Sequence, residues 1–144
     1  LRRRVFYEER GEGGMMSKIL VVDDDIDFQE STRAALEAEG FEVVAASDSK
    51  QGLEVAKAEQ PDLIILDVMM SWVLDGLRMS LELQQDPKLS RIPVIMVSSI
   101  ANTEYAGAFP TDQPLHVDVF LSKPVRSAEL VQQVKKVLAS RVGH

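Results

Sequence analysis

Five side chains in this chain of 144 residues have the types and the spacing to act together: Asp23, Asp24, Asp67, Ser98 and Lys123. Each follows a short apolar run. Residues 18–22 lead into Asp23-Asp24-Asp25, residues 63–66 into Asp67, residues 92–97 into Ser98-Ser99, and residues 117–121 into Ser122-Lys123-Pro124. Runs of this length read as strands buried on both faces of a parallel sheet. All carboxyl ends of such a sheet lie along one edge, where ligands bind, so the five side chains can converge. Three carboxylates brought together repel, and one would have to protonate unless a cation joined them. Oxygen donors of this kind suit Mg²⁺.

Taken singly, each residue has a plainer reading. Asp23 to Asp25 could serve a helix N-terminus. Asp67 could be a turn former, Lys123 a solvated loop lysine, and Ser98 a hydroxyl without a task. Their joint occurrence at four strand ends favours a site.

The intervening chain supplies the elements that would place them. Residues 26–39 read as a helix with Phe28, Thr32, Ala35 and Leu36 on one face, closed by Gly40. Residues 41–46 read as a strand whose end carries nothing comparable to the other four. Asp48 and Gln51 form a variant capping box for a helix to about Glu59. Another helix spans about 75–85, with Leu74, Leu77 and Leu81 at helical spacing and Asp86-Pro87 as its stop. Ser127 caps a last helix with Leu130, Val134, Val137 and Leu138 on one face. Alternation of this kind means right-handed crossovers and an α/β, three-layer α/β/α fold with a five-stranded parallel sheet. A second strand with nothing at its end fits the edge place it has in the flavodoxin-like order 2-1-3-4-5, the order expected here. No G-x-G-x-x-G follows the first strand and no P-loop motif is present.

Composition narrows the class. The length suits one domain, and 45% hydrophobic residues can fill its core. There is no cysteine, no apolar stretch long enough to span a bilayer and no secretory signal, so a cytoplasmic protein is the simplest expectation. The net charge of −7 argues against a nucleic-acid surface. Residues 1–16, with Arg2-Arg3-Arg4, a glycine-rich spacer and Met15-Met16, are expected to be a flexible leader, disordered or an extension upstream of a natural start. A functional basic arm is the alternative.

The set Asp23-Asp24, Asp67, Ser98 and Lys123-Pro124 resembles the receiver domain of two-component response regulators, over residues 17–141. The resemblance implies that Asp67 accepts a phosphoryl group from a histidine kinase or phosphotransfer protein. It implies Mg²⁺ held by Asp23, Asp24, Asp67 and the backbone carbonyl of Met69. It also implies Lys123 and Ser98 on phosphoryl oxygens, and a cis Lys123-Pro124 bond. Ser98 and Phe120 then form the switch, with a plain core aromatic as the other reading of Phe120. The chain would assist its own phosphorylation and dephosphorylation without turning over an external substrate.

This sequence departs from the family pattern in two places. Met70-Ser71 stands where Met-Pro is usual, and Asp75-Gly76 follows Asp67 by eight residues rather than seven, with Trp72 in the lengthened loop. Residues 101–115 lack an evident helix-forming pattern, so a short or absent helix and an altered partner choice are expected there.

With only Arg141 to His144 after the last helix, a single-domain regulator signalling to a protein target is expected, with a homodimer possible and no membrane insertion. A phosphate-independent interaction module on the same fold is the alternative. A phosphatase of the haloacid dehalogenase type is disfavoured because its Asp-x-Asp motif is missing at Asp67-Val68-Met69.

Met69 and Ile100, two residues past Asp67 and Ser98, sit where the resemblance places the tuning of dephosphorylation, and both are apolar. Neither can orient an attacking water, so slow self-dephosphorylation is expected. The check is the decay of the phosphoaspartate with Mg²⁺ present; a half-life of seconds would refute it.

Overall fold

A computed structural model describes residues 17–67, 75–98 and 118–142, without the side chains of 75–77, Ser98 and 141–142. The expectations for the leader, Met69, Trp72, Ile100 and the 101–115 segment lie outside the described residues.

The elements are β1 Lys18–Val22, α1 Ile26–Ala38, β2 Glu42–Ala46, α2 Ser49–Glu59, β3 Leu63–Asp67, α3 Asp75–Gln85, a 3₁₀ turn Leu89–Arg91, β4 Val94–Ser98, β5 Val119–Ser122 and α4 Ser127–Val142. The five strands form one sheet in order β2-β1-β3-β4-β5, with every pairing parallel. This is the expected order, with shifted boundaries. β4 begins after Pro93 and takes in Ser98, and β5 begins two residues later than its apolar run.

Side chains alternate across the central strands and build two cores. Leu20, Val22, Ile64, Leu66, Val94 and Met96 pack with Ala56 of α2 and Met79 and Leu83 of α3. Ile19, Val21, Leu63, Ile65, Ile95 and Val97 pack on the other face with Leu36 of α1 and Leu130, Val134 and Leu138 of α4. The buried residues of α2 are small, Gly52 and Ala56, with Leu53 and Val55 packing at the margin: a Cβ on Gly52 would stand 2.9 Å from the Met79 sulfur and 3.1 Å from a Val22 methyl. The buried stripe of α3 runs through Met79, Ser80 and Leu83, while Leu81 is only half-buried. Of the three leucines at helical spacing, only the side chain of Leu81 is among those described, and it lies beside that stripe.

Caps bound α1 and α2 where their sequences ask, whereas Ser127, expected to cap the last helix, is the first residue of α4, and the carbonyl of Arg126 before it accepts the Leu130 N–H. Asp25 accepts from the amides of Asp27 and Phe28 at the start of α1. At its end Gly40, with φ 94°, lets its own N–H reach Glu37 O and the Phe41 N–H reach Leu36 O. This is the double bond pattern of a Schellman cap, with Phe41 and Leu36 sharing one core. Asp48 caps α2 through the Gln51 amide, but the Gln51 side chain reaches back to Ser47 N rather than to the capping residue.

Two aspartates fix the register at the amino edge of the sheet. Asp62, just before β3, accepts from Lys18 N at 2.8 Å and donates its own amide to Lys18 O. Asp118, just before β5, does the same for Val94. Each side chain continues the ladder where the backbone alone would leave a strand's first N–H unpaired. Asp118→Ala strands the buried Val94 amide, and is expected to cost about 1–3 kcal/mol in urea unfolding with the slope unchanged. Asp118→Asn, which keeps an acceptor oxygen, should cost less; equal losses would show that the acceptor is not what matters.

Candidate functional site

Three strand ends bring charge to one place. β1 stops at Val22, and Asp23 follows it; β3 ends in Asp67; the turn after β5 carries Lys123. Lys123 Nζ lies 2.8 Å from Asp23 Oδ2 and 3.4 Å from Asp67 Oδ2. The first is a charge-assisted hydrogen bond, the second a looser ion pair. Asp23 is fully buried and Asp67 is 6% exposed, whereas Asp24 is exposed. The Lys123-Pro124 bond is cis, as the resemblance implies.

Carboxylate oxygens of Asp23, Asp24 and Asp67 all lie within 4.8 Å of one another. Octahedral Mg²⁺ with bonds of about 2.0–2.1 Å holds its oxygens at most about 4.2 Å apart. The three carboxylates thus stand close enough together to face one such ion. Three carboxylates against one ammonium also leave an excess of negative charge, which a divalent cation matches. The donor set fits.

Burial works to lower the pKa of Lys123, but its hydrogen bond to Asp23 and the charges of Asp67 and Asp23 outweigh that, so it is raised from the ordinary 10.5. The ammonium also stands 4.5 Å from the centre of the Phe28 ring, a cation–π contact from the first turn of α1.

Asp23 is held at every polar atom. Its N–H donates to Ala46 O, its Oδ1 accepts from Asp25 N, its Oδ2 meets Lys123, and its carbonyl accepts from Gln29 Nε2. Gln29 and Phe28 were not singled out for the site in the sequence, although Phe28 was placed on the inner face. The available signal for Gln29 was a carboxamide at the i, i+3, i+7 stripe it shares with Thr32 and Leu36, all buried. A polar group there requires partners. The second strand also contributes after all, through Ala46 O and Ser47 Oγ, both accepting from Gln29.

The remaining expected residues lie apart or outside. The backbone of Ser98 ends β4 opposite Ser122, on the same edge as Asp67. Phe120 is in register with buried Met96 and is 38% exposed. Met69 and Ile100 lie outside the described residues.

Comparison with known proteins agrees with this arrangement. The model of the response regulator receiver domain family matches residues 19–135. A transcriptional regulatory protein, CseB of Streptomyces coelicolor, is 36% identical over 132 residues, covering 88% of this chain and 50% of its own length. The chain thus spans about half the length of the curated relatives it matches. Among solved structures, a CheY-like response regulator receiver domain protein from Methanospirillum hungatei superposes with TM-score 0.72 at 28% identity, over 89% of this chain and 98% of that one. The receiver domain of a sensor histidine kinase from Pseudomonas aeruginosa, with a magnesium ion coordinated in its active site cleft, gives 0.70 at 25% identity, over 85% and 97%.

The raised Lys123 pKa fixes a pH window. A group whose pKa is higher folded than unfolded stabilises fully below the unfolded value and loses that contribution as pH rises through the folded one. In metal-free urea unfolding, the stability difference between wild type and Lys123→Met is expected to hold from neutral pH to about 10 and shrink above 10.5. A difference that fades near neutral pH would mean that the Lys123 pairs are not its source.

Proposed function

Because the chain belongs to the response regulator receiver family, we propose that it accepts a phosphoryl group on Asp67 and relays the signal through a phosphorylation-dependent protein-binding surface. The observation that carries this reading is the meeting of Asp67, Asp23 and Lys123 from three strand ends, within 3.4 Å of the shared ammonium.

The Asp67 carboxylate oxygen attacks phosphorus as its new O–P bond forms and the N–P bond of a phosphohistidine breaks. The imidazole nitrogen leaves with the electron pair and takes up a proton. Such transfer asks mainly for positioning and charge stabilisation. Lys123, already touching the carboxylate, pairs with one phosphoryl oxygen, and Ser98 is assigned another. Asp23, Asp24, Asp67 and the Met69 carbonyl are the residues that would hold Mg²⁺, which when bound supplies charge neutralisation at a phosphoryl oxygen.

Phe120 is assigned the switch role with Ser98; its partial exposure at the edge strand supports it as a side chain that can change its surroundings. Met69 and Ile100 are assigned the tuning of dephosphorylation. Upstream stands a histidine kinase or phosphotransfer protein, downstream a protein target. The molecule catalyses its own phosphorylation and dephosphorylation and no turnover of an outside substrate. A histidine kinase as donor fits a cytoplasmic location, and no helix among the described residues is long and apolar enough to cross a membrane.

The expectation of no nucleic-acid partner is not carried forward. Several relatives are named transcriptional regulators and are about twice the matched length. The acidic balance of the matched region says nothing of a further domain. Residues 17–141 are proposed to act as a unit, by protein contact, whether alone or within a longer chain.

Intact mass measured after incubation with a small phosphoramidate and Mg²⁺ should show one added phosphoryl group on wild type and none on Asp67→Asn. An unmodified wild type that still binds partner proteins would replace this reading by the phosphate-independent module.

A further inference from the structure

Between the last paired residue of β1, Val22, and the start of α1 at Ile26, the chain must turn within three residues, which are the site aspartates Asp23 and Asp24 and the capping residue Asp25. The Asp23 carbonyl has left the sheet and precedes Asp25, the capping residue of α1, so neither ladder supplies it with a donor. Gln29 does. Its side-chain amide reaches back from the first turns of α1 to the Asp23 carbonyl, to Ala46 O at 3.0 Å and to Ser47 Oγ at 3.3 Å. Gln29 is 9% exposed. Placing a carboxamide on the inner stripe of a helix costs free energy unless its bonds are made, and here they are made to the ends of β1 and β2.

We propose that Gln29 is a positioning residue for the acidic site: its amide ties the Asp23 carbonyl to the end of β2 and so sets where the Asp23 and Asp24 carboxylates stand for a divalent cation. The amide touches neither carboxylate. It acts on the backbone between them and the sheet, together with the Asp23 N–H to Ala46 O and Asp25 N–H to Asp23 Oδ1 bonds. Asp24 is exposed, and the bonds on either side of it place the backbone from which its carboxylate extends. Groups that orient metal ligands commonly matter nearly as much as the ligands, at about 10–100-fold in affinity. The proposal rests on reading Asp23, Asp24 and Asp67 as a cation site.

Gln29→Met keeps the length of the side chain and removes both donors. Titration calorimetry with Mg²⁺ is expected to show affinity reduced about 10–100-fold relative to wild type. In metal-free protein, the Asp23 and Asp25 amides should exchange faster with solvent while those of Ile64 and Ile65 in β3 do not change. Ser47→Ala, which removes only the longest of the three bonds, should move affinity far less. Should Gln29→Met fail to fold, Gln29→Asn, which draws the amide back by one methylene, provides the same two readouts.

A Gln29→Met protein that melts earlier but binds Mg²⁺ as wild type does, with unchanged exchange at Asp23 and Asp25, would overturn the proposal and leave Gln29 a core polar residue. A wild type that binds no Mg²⁺ would instead overturn the reading of the site. The metal-free exchange rates would then decide the positioning role by themselves.

Discussion

A carboxylate taken out of water costs several kcal/mol unless both its charge and its lone pairs are met, and Asp23 is such a group. Its burial is complete, yet each of its polar atoms has a partner, and the partners come from four parts of the chain: the end of β2, the turn it belongs to, α1 and the turn after β5. Much of the architecture can be seen as what this requires. The parallel order puts β1 between β2 and β3, so that the Asp23 N–H meets Ala46 on one side and Asp67 stands on the other. The crossover through α1 returns Gln29 and Phe28 over the same strand end, and β5, two strands from β3, delivers the ammonium.

The two ends of the sheet are held by different physics. At the amino edge, Asp62 and Asp118 lock neighbouring strands through neutral backbone amides. At the carboxyl edge the strands are tied by opposed charges around Lys123. The amino edge is not free of charge, since its acceptors are carboxylates and the nearly buried Lys18 pairs with Glu42 and Glu59. At the carboxyl edge, however, like charges crowd one ammonium, and any ion that enters changes the balance of attraction and repulsion there.

Much of this was legible in the sequence because it is written in short-range pattern. Five apolar runs, the glycine at Gly40 and the capping residue Asp48 each announce a local structure, and the parallel sheet follows from their alternation. Asp23, Asp67 and Lys123 could be brought together without coordinates because parallel strands share an edge. The less legible parts depend on tertiary partners. Gln29 shares a stripe with Thr32 and Leu36, but which groups its carboxamide bonds is not visible until the strand ends are in place. Asp62 and Asp118 look like turn formers until the neighbouring strand starts beside them. Phe120 belongs to an apolar run, but an edge strand leaves one of its faces only partly covered, and periodicity does not say which strand is the edge.

Lys123 and Asp23 are 100 residues apart in sequence, and that distance has a bearing on how the protein is made. A chain is synthesised from its amino end, so both buried-site aspartates emerge long before the lysine that neutralises them. Until the fifth strand is added, the edge of the growing sheet is a set of like charges with no internal counterion, and closing it would be opposed. The last strand to be made is thus the one that renders the cluster tolerable. Completion of the sheet and neutralisation of its acidic edge become one event, and an unfinished chain carries Asp23 and Asp67 without the ammonium that meets them.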